Sequence, residues 1–221
     1  MLRALGHPAS FFGLLIGYLL AVLVHRTAQQ VAARMLGDRS LRTTGHPIAT
    51  YVDPFGAVAA ALGGIGWGES FTVTLRSRGR RAIALLAGPV AVAALAAAAL
   101  IGFRAAGGAQ LIVAQLTPGD VIGGVDLVST GQTILLCAGL EAAGMAVLGL
   151  VPLPPLTGWR VLSLFMRETH GWQRTRIALE DRNIGVAILL VLLVLPIGPG
   201  GPLLVRLLNV IVGAVLRAVF G

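Results

Sequence analysis

The sequence predicts an all-α, multi-pass membrane protein with about five to six hydrophobic segments, one of them re-entrant, and a short β element. Three observations carry that prediction. The 221-residue chain is 56% hydrophobic and 12% charged, with a mean hydropathy of +0.87, whereas soluble domains carry about 25% charged residues. Several apolar runs approach the ~20 residues that a helix needs to cross a bilayer. All 17 basic residues are arginine, and they sit in short clusters between the apolar runs. That is how loop charges orient a protein in a membrane. The net charge of +8 therefore does not imply nucleic acid, because no aromatic-basic surface accompanies the arginines. The single cysteine, Cys137, lies in an apolar segment and leaves neither a disulfide nor a thiolate metal cluster.

The first membrane helix is expected from about Ala9 to Leu36, with Gly37 as its stop. It runs past Val24 without a small-residue cleavage site, so it reads as a retained span rather than a signal peptide. A polar segment, Asp38 to Tyr51, carries Arg39, Arg42 and His46. Asp53-Pro54-Phe55-Gly56 then opens an apolar stretch, Ala57 to Trp67, broken by Gly63, Gly64 and Gly66. That stretch is short for a span, and its flanking charges favour leaving and returning on one side, against protein rather than lipid. Glu69 to Leu75 alternates Phe71, Val73 and Leu75 with Thr72 and Thr74, the pattern of a short strand.

Arg76, Arg78, Arg80 and Arg81 precede a second span, Ala82 to Phe103. A third is expected over Val128 to Leu150, with Glu141 in its middle and Pro152, Pro154 and Pro155 ending it. An arginine-rich segment, Arg167 to Arg182, leads to two last apolar stretches, Ile184 to Ile197 and Leu203 to Phe220. These read as a C-terminal hairpin over 184–220. The arginine bias puts the loops at 34–42, 76–81 and 167–182 and the C-terminus in the cytoplasm. No separate soluble domain is visible, so residues 1–221 read as one membrane domain.

Chemistry concentrates at His25-Arg26-Thr27-Ala28-Gln29. A zinc helix of the His-Glu-x-x-His type places two imidazoles at i and i+4 on one face, with the Glu as general base. Here Arg26 stands where that Glu would be and Gln29 where the second His would be. An ionisable group at this depth is expensive and needs a partner, a watery cavity or a route to the interface. Glu141 is the only acid inside an expected span, so a buried Arg26–Glu141 pair is expected.

These pieces, in this order, resemble the site-2 proteases, intramembrane zinc metalloproteases, and in particular their compact bacterial type. The likeness rests on His25 to Gln29 followed by Ala33-Arg34-Met35-Leu36-Gly37-Asp38, on Asp53-Pro54-Phe55-Gly56 with Gly66-Trp67, and on Ala87-Gly88-Pro89. It ends on Pro152-Leu153-Pro154-Pro155-Leu156-Thr157-Gly158. It covers roughly residues 17–164 within a core of 9–164. The resemblance implies a bacterial plasma-membrane protein whose zinc ligands would fall at His25, Gln29 and Thr157, with the general base at Arg26. Three of those four positions have lost the family's residue. Val92 and Gly149 likewise stand where the family has Asn.

One imidazole cannot hold zinc, which takes three or four N, S or O ligands, and an always-protonated guanidinium beside it repels a divalent cation. The expected function is thus that of a catalytically inactive homologue, without cofactor, that binds or regulates a membrane partner such as a single-pass protein. The resemblance also makes residues 71–75 (Phe71, Thr72, Val73, Thr74, Leu75) a candidate peptide-binding edge, by strand addition. The plain alternative is a small structural ribbon. Two other functional readings remain open. One is an active intramembrane metalloprotease with zinc at an atypical site around His25. The other is a small channel or transporter component whose Arg26, Gln29, Gln30 and Glu141 line a path.

For single residues, the plain structural explanations are packing for Cys137, a helix start for Thr157 with no base in reach, and interfacial anchoring for Trp67, Trp159 and Trp172.

Overall fold

The computed structural model describes residues 1–38, 48–69, 72–108, 117–125, 127, 129–195 and 202–220. Helix α1 spans Pro8–Met35, α2 Pro54–Gly63, α3 Arg78–Ala105, α4 Pro118–Gly123 and α5 Thr130–Gly149. After a sharp bend come α6, Thr157–Phe165, and α7, His170–Arg176, which runs into a π-helical turn, Ile177–Asp181. Helices α8, Ile184–Val194, and α9, Leu203–Phe220, close the chain.

Three helices, α1, α3 and α5, are long and apolar enough to cross a membrane. At 28, 28 and 20 residues they reach about 42, 42 and 30 Å at 1.5 Å per residue. Helices α2 and α8 are apolar but have 10 and 11 residues, which falls short of a span. Among the described residues three helices thus have the length of a span, and the other apolar helices, Pro54–Gly63, Ile184–Val194 and Leu203–Ala214, are shorter.

The three long helices pack on one another, and glycine lets them do so. Gly13 and Gly17 form a small-xxx-small pair on α1, which allows backbones to approach. A Cβ at Gly13 would lie 2.8 Å from the Cβ of Cys137, and one at Gly17 would lie 2.6 Å from the Cα of Ala138. The contact advances in the same direction on both helices, so α1 and α5 are parallel. Gly88 of α3 faces His25, and Gly139 of α5 faces Leu100 of α3, so α3 runs antiparallel between them. The end of α1, the start of α3 and the end of α5 therefore share one end of the bundle, with Arg34, Arg78, Arg80, Arg81 and Arg160.

Helix α2 starts at a carboxylate cap. Asp53 Oδ1 accepts from the amides of Phe55 (2.7 Å) and Gly56 (3.1 Å), and Pro54 occupies the first helical position, where its missing N–H costs nothing. It ends at Gly64, whose φ of 87° is left-handed. The chain then doubles back: Val52 and Gly68 form an antiparallel bridge, and the Glu69 amide donates to Tyr51 O at 2.8 Å. Residues 52–68 thus leave and return at one side.

The expected strand over 71–75 is a correction. Phe71 lies outside the described residues, and Thr72, Val73, Thr74 and Leu75 belong to no ladder. The Thr74 amide, which a neighbouring strand would need, donates to Asp38 Oδ2 at 3.0 Å. The Thr74 hydroxyl bonds the same carboxylate at 2.8 Å. Arg81 Nε donates to Leu75 O. Side chains anchor the segment in place of a sheet.

Because Gly17 touches backbone, a side chain there has nowhere to go. Gly17→Val is expected to lower stability in detergent by about 1–3 kcal/mol, the usual cost of overpacking. Gly6→Ala, with nothing within 4 Å of the added Cβ, should leave the thermal midpoint unchanged in the same assay.

Candidate functional site

His25 and Gln29 lie one turn apart on the same face of α1. The facing position on α3 is Gly88, where a Cβ would sit 2.7 Å from His25 Nε2 and 3.0 Å from Gln29 Cγ. The space for these two side chains is therefore made by an absent one. Thr157 arrives from the far side as the first residue of α6. The turn that delivers it needs Gly158, since a Cβ there would lie 2.2 Å from Leu150 O.

The three side chains meet. Thr157 Oγ1 is 3.2 Å from His25 Nε2, and Gln29 Nε2 donates to Leu85 O at 2.9 Å and to Thr157 Oγ1 at 3.5 Å. Thr157 does not cap its own helix; its hydroxyl is committed to the site, contrary to the expected helix-start role. Gln29 is 1% exposed and Trp67 3%, so Trp67 is a wall of the site rather than an interfacial anchor. Among the described residues Gln29 Oε1 and Trp67 Nε1 have no hydrogen-bond partner. The enclosed space, bordered by His25, Gln29, Trp67, Met145 and Thr157, is about 20 Å³, roughly one water.

The structure gives Arg26 and Glu141 separate neighbours in place of the expected pair. The Arg26 guanidinium lies 5.7 Å from the centre of the Tyr51 ring, within cation–π range, and Glu69 attracts it electrostatically. Glu141 is 1% exposed, and neither of its oxygens has a hydrogen bond among the described residues. The positive groups that act on it are the Met1 ammonium and the Gly66 amide. The Met1 ammonium itself donates to Ala60 O (3.0 Å) and Ala61 O (3.1 Å).

A second arginine stands at the mouth of the site. Burial pulls the Arg160 guanidinium below its usual range; Glu180 and Glu69 oppose that, and Arg26 adds to it. Arg26, Glu69, Arg160 and Glu180 thus form a chain of alternating charges. Sequence reasoning missed three of the four. Arg160 was visible in principle, one turn after Thr157 on α6. Glu180 and Glu69 had no comparable signal, because each approaches through tertiary folding. Glu180 Oε1 also accepts from Trp159 Nε1 at 2.5 Å, and Trp159 stacks on Trp172 at 5.1 Å. Trp159 is buried, not interfacial.

The donor set does not fit zinc. Of its three donors only the imidazole is a common zinc ligand, the others being an amide oxygen and a hydroxyl, and the Arg160 side chain borders the same space. Asp53 is occupied as a helix cap and His46 lies outside the described residues.

The Thr157–His25 contact does bring a base within reach of a hydroxyl, which the sequence reading had not expected. The charge acting on His25 is Arg26, however, not the carboxylate that orients and stabilises an imidazolium in a triad. No protein-family model, curated protein or solved structure matches this chain.

The Thr157 hydroxyl joins the imidazole to the amide. Thr157→Val is expected to cost about 1–2 kcal/mol of stability through stranded polar partners. A double-mutant cycle with Gln29→Met should return a coupling of at least about 0.5 kcal/mol.

Proposed function

We propose that this chain is a non-catalytic homologue of the site-2 proteases that holds a membrane partner without cutting it. One observation carries the proposal: His25, Gln29 and Thr157 converge from positions up to 132 residues apart. They are the positions where the sequence resemblance places zinc ligands, and they bring chemistry that cannot hold zinc. A chance likeness of short motifs gives no reason for these three side chains to meet. The charges at the mouth support the same reading, since Arg160 borders the site and the charge of Arg26 acts on His25.

In this reading the arginine-rich end of the bundle faces the cytoplasm of a bacterial cell, as loop arginines favour. The partner is a single-pass membrane protein, met along the segment 72–75 and the mouth of the site. The Thr157–His25 contact favours a second reading, an atypical hydrolase, which cleavage of a model transmembrane substrate would support.

Metal content separates these readings. The purified wild type is expected to carry far less than one zinc per chain. Restoring the ligands with Arg26→Glu, Gln29→His and Thr157→Asp together should bring about one zinc per chain, lost again on His25→Ala. Stoichiometric zinc in the wild type, removed by His25→Ala, overturns the proposal. With a co-expressed single-pass protein, the expected result is intact partner recovered with the chain, and less of it after Thr74→Pro.

A further inference from the structure

We infer that the arginine-walled cavity at the cytoplasmic end is a binding site for an anionic phospholipid head group. The cavity holds about 490 Å³ and opens beside the mouth of the His25 site. Three guanidinia line it, from three different elements: Arg81 of α3, Arg160 of α6 and Arg176 of α7. One carboxylate, Glu180, faces them, and it already accepts from Trp159 Nε1 and attracts Arg160. The wall therefore carries a net positive charge. Arg176 has a partner at Glu168, 3.5 Å away with both side chains well exposed. Such a surface pair contributes little and yields readily to a better anion. Guanidinium forks match phosphate oxygens in paired hydrogen bonds.

Beside these charges and the polar Thr72, Ser163 and Asn183, the wall includes apolar Leu85, Leu164, Leu179 and Val186. Helix α8 begins at this wall, and its Ile184, Ile188 and Val191 stay exposed at helical spacing along one face. That stripe starts next to Asn183, which lines the cavity, and offers an acyl chain attached to a bound phosphate an apolar surface beside it. An acidic peptide would satisfy the arginines but not the stripe. Basic pockets between membrane helices on the cytoplasmic side suit anionic head groups for these reasons. The inference rests on the membrane orientation proposed above but not on the fate of the zinc site.

Tryptophan quenching reads the site directly, because Trp159 lines the cavity and Trp172 stacks on it. The full chain in mild detergent would be titrated with brominated phosphatidylglycerol and, separately, brominated phosphatidylcholine. Saturable quenching by the anionic lipid at about a tenfold lower concentration is expected. Arg176→Gln should weaken it about fivefold, the effect of one arginine near an anionic head group. Arg81→Gln with Arg176→Gln should weaken it further. Arg104→Gln, at the other end of α3, should leave it unchanged. Arg176 is exposed, so its variant carries the test even if Arg81→Gln fails to fold.

Equal quenching by both lipids, or none lost in Arg176→Gln, overturns the inference. So does displacement of the lipid by inorganic phosphate at comparable concentration, which would mark a site for a free anion. Displacement by an acidic peptide that binds more tightly would mark a protein-docking site and also overturn it.

Discussion

Backbone contact between α1 and its two neighbours is the constraint on which the rest of the structure depends. With a Cβ clearance of 2.6 Å at Gly17 and 2.7 Å at Gly88, neither α5 nor α3 can move away from or rotate about α1 without opening a gap. In lipid, where helices gain little from hiding apolar surface from each other, such close packing supplies much of the association energy. It also sets the height at which His25 and Gln29 stand relative to the start of α6. The polar site is a consequence of that register: the same glycine that brings α3 close leaves room for the imidazole.

The charges follow from what that core leaves open. A guanidinium at residue 26 of α1 points a different way from His25, and the paired segments 48–53 and 64–69 cover it with Tyr51 and Glu69. Glu141, facing the interior, has the Gly66 amide of the same returning strap acting on it electrostatically. One short, glycine-rich loop therefore approaches two ionisable side chains that the sequence alone would pair with each other. The loop can do so because Gly56 and Gly66 let its two limbs touch: a Cβ at either would come within 2.2 Å of the opposite limb's backbone oxygen.

Much of this was legible in the sequence, and the failures have physical causes. Hydropathy located all three long helices to within about four residues at each end, because a span must be apolar throughout. The contact of Thr157 with His25 and Gln29 was not expected, because residues up to 132 apart leave no local trace in periodicity. The strand over 71–75 failed because alternation describes a half-buried segment, whatever bonds its backbone. Here Asp38 takes the Thr74 amide, and nothing in the alternation signals that. The tryptophans misled for a related reason. A ring with one polar N–H suits an interface, but it equally suits a buried wall next to a carboxylate, as Trp159 and Glu180 show.

The side chains at positions 25, 29 and 157 satisfy one another without a cation. Removing a metal from a buried His-His-Asp site would leave an imidazole and a carboxylate unpaired in a dry interior, and each stranded group costs kilocalories. Gln29 and Thr157 avoid that. The amide finds the Leu85 carbonyl, and the hydroxyl can both give and take a hydrogen bond between the imidazole and the amide. Beside this network Gln29 Oε1 and Trp67 Nε1 stay without hydrogen-bond partners among the described residues, an acceptor and a donor next to a space of one water's size. Such a nearly satisfied neutral network is stable without a cation. The rigid three-helix core holds this network in register, and the arginine-lined face lies beside it.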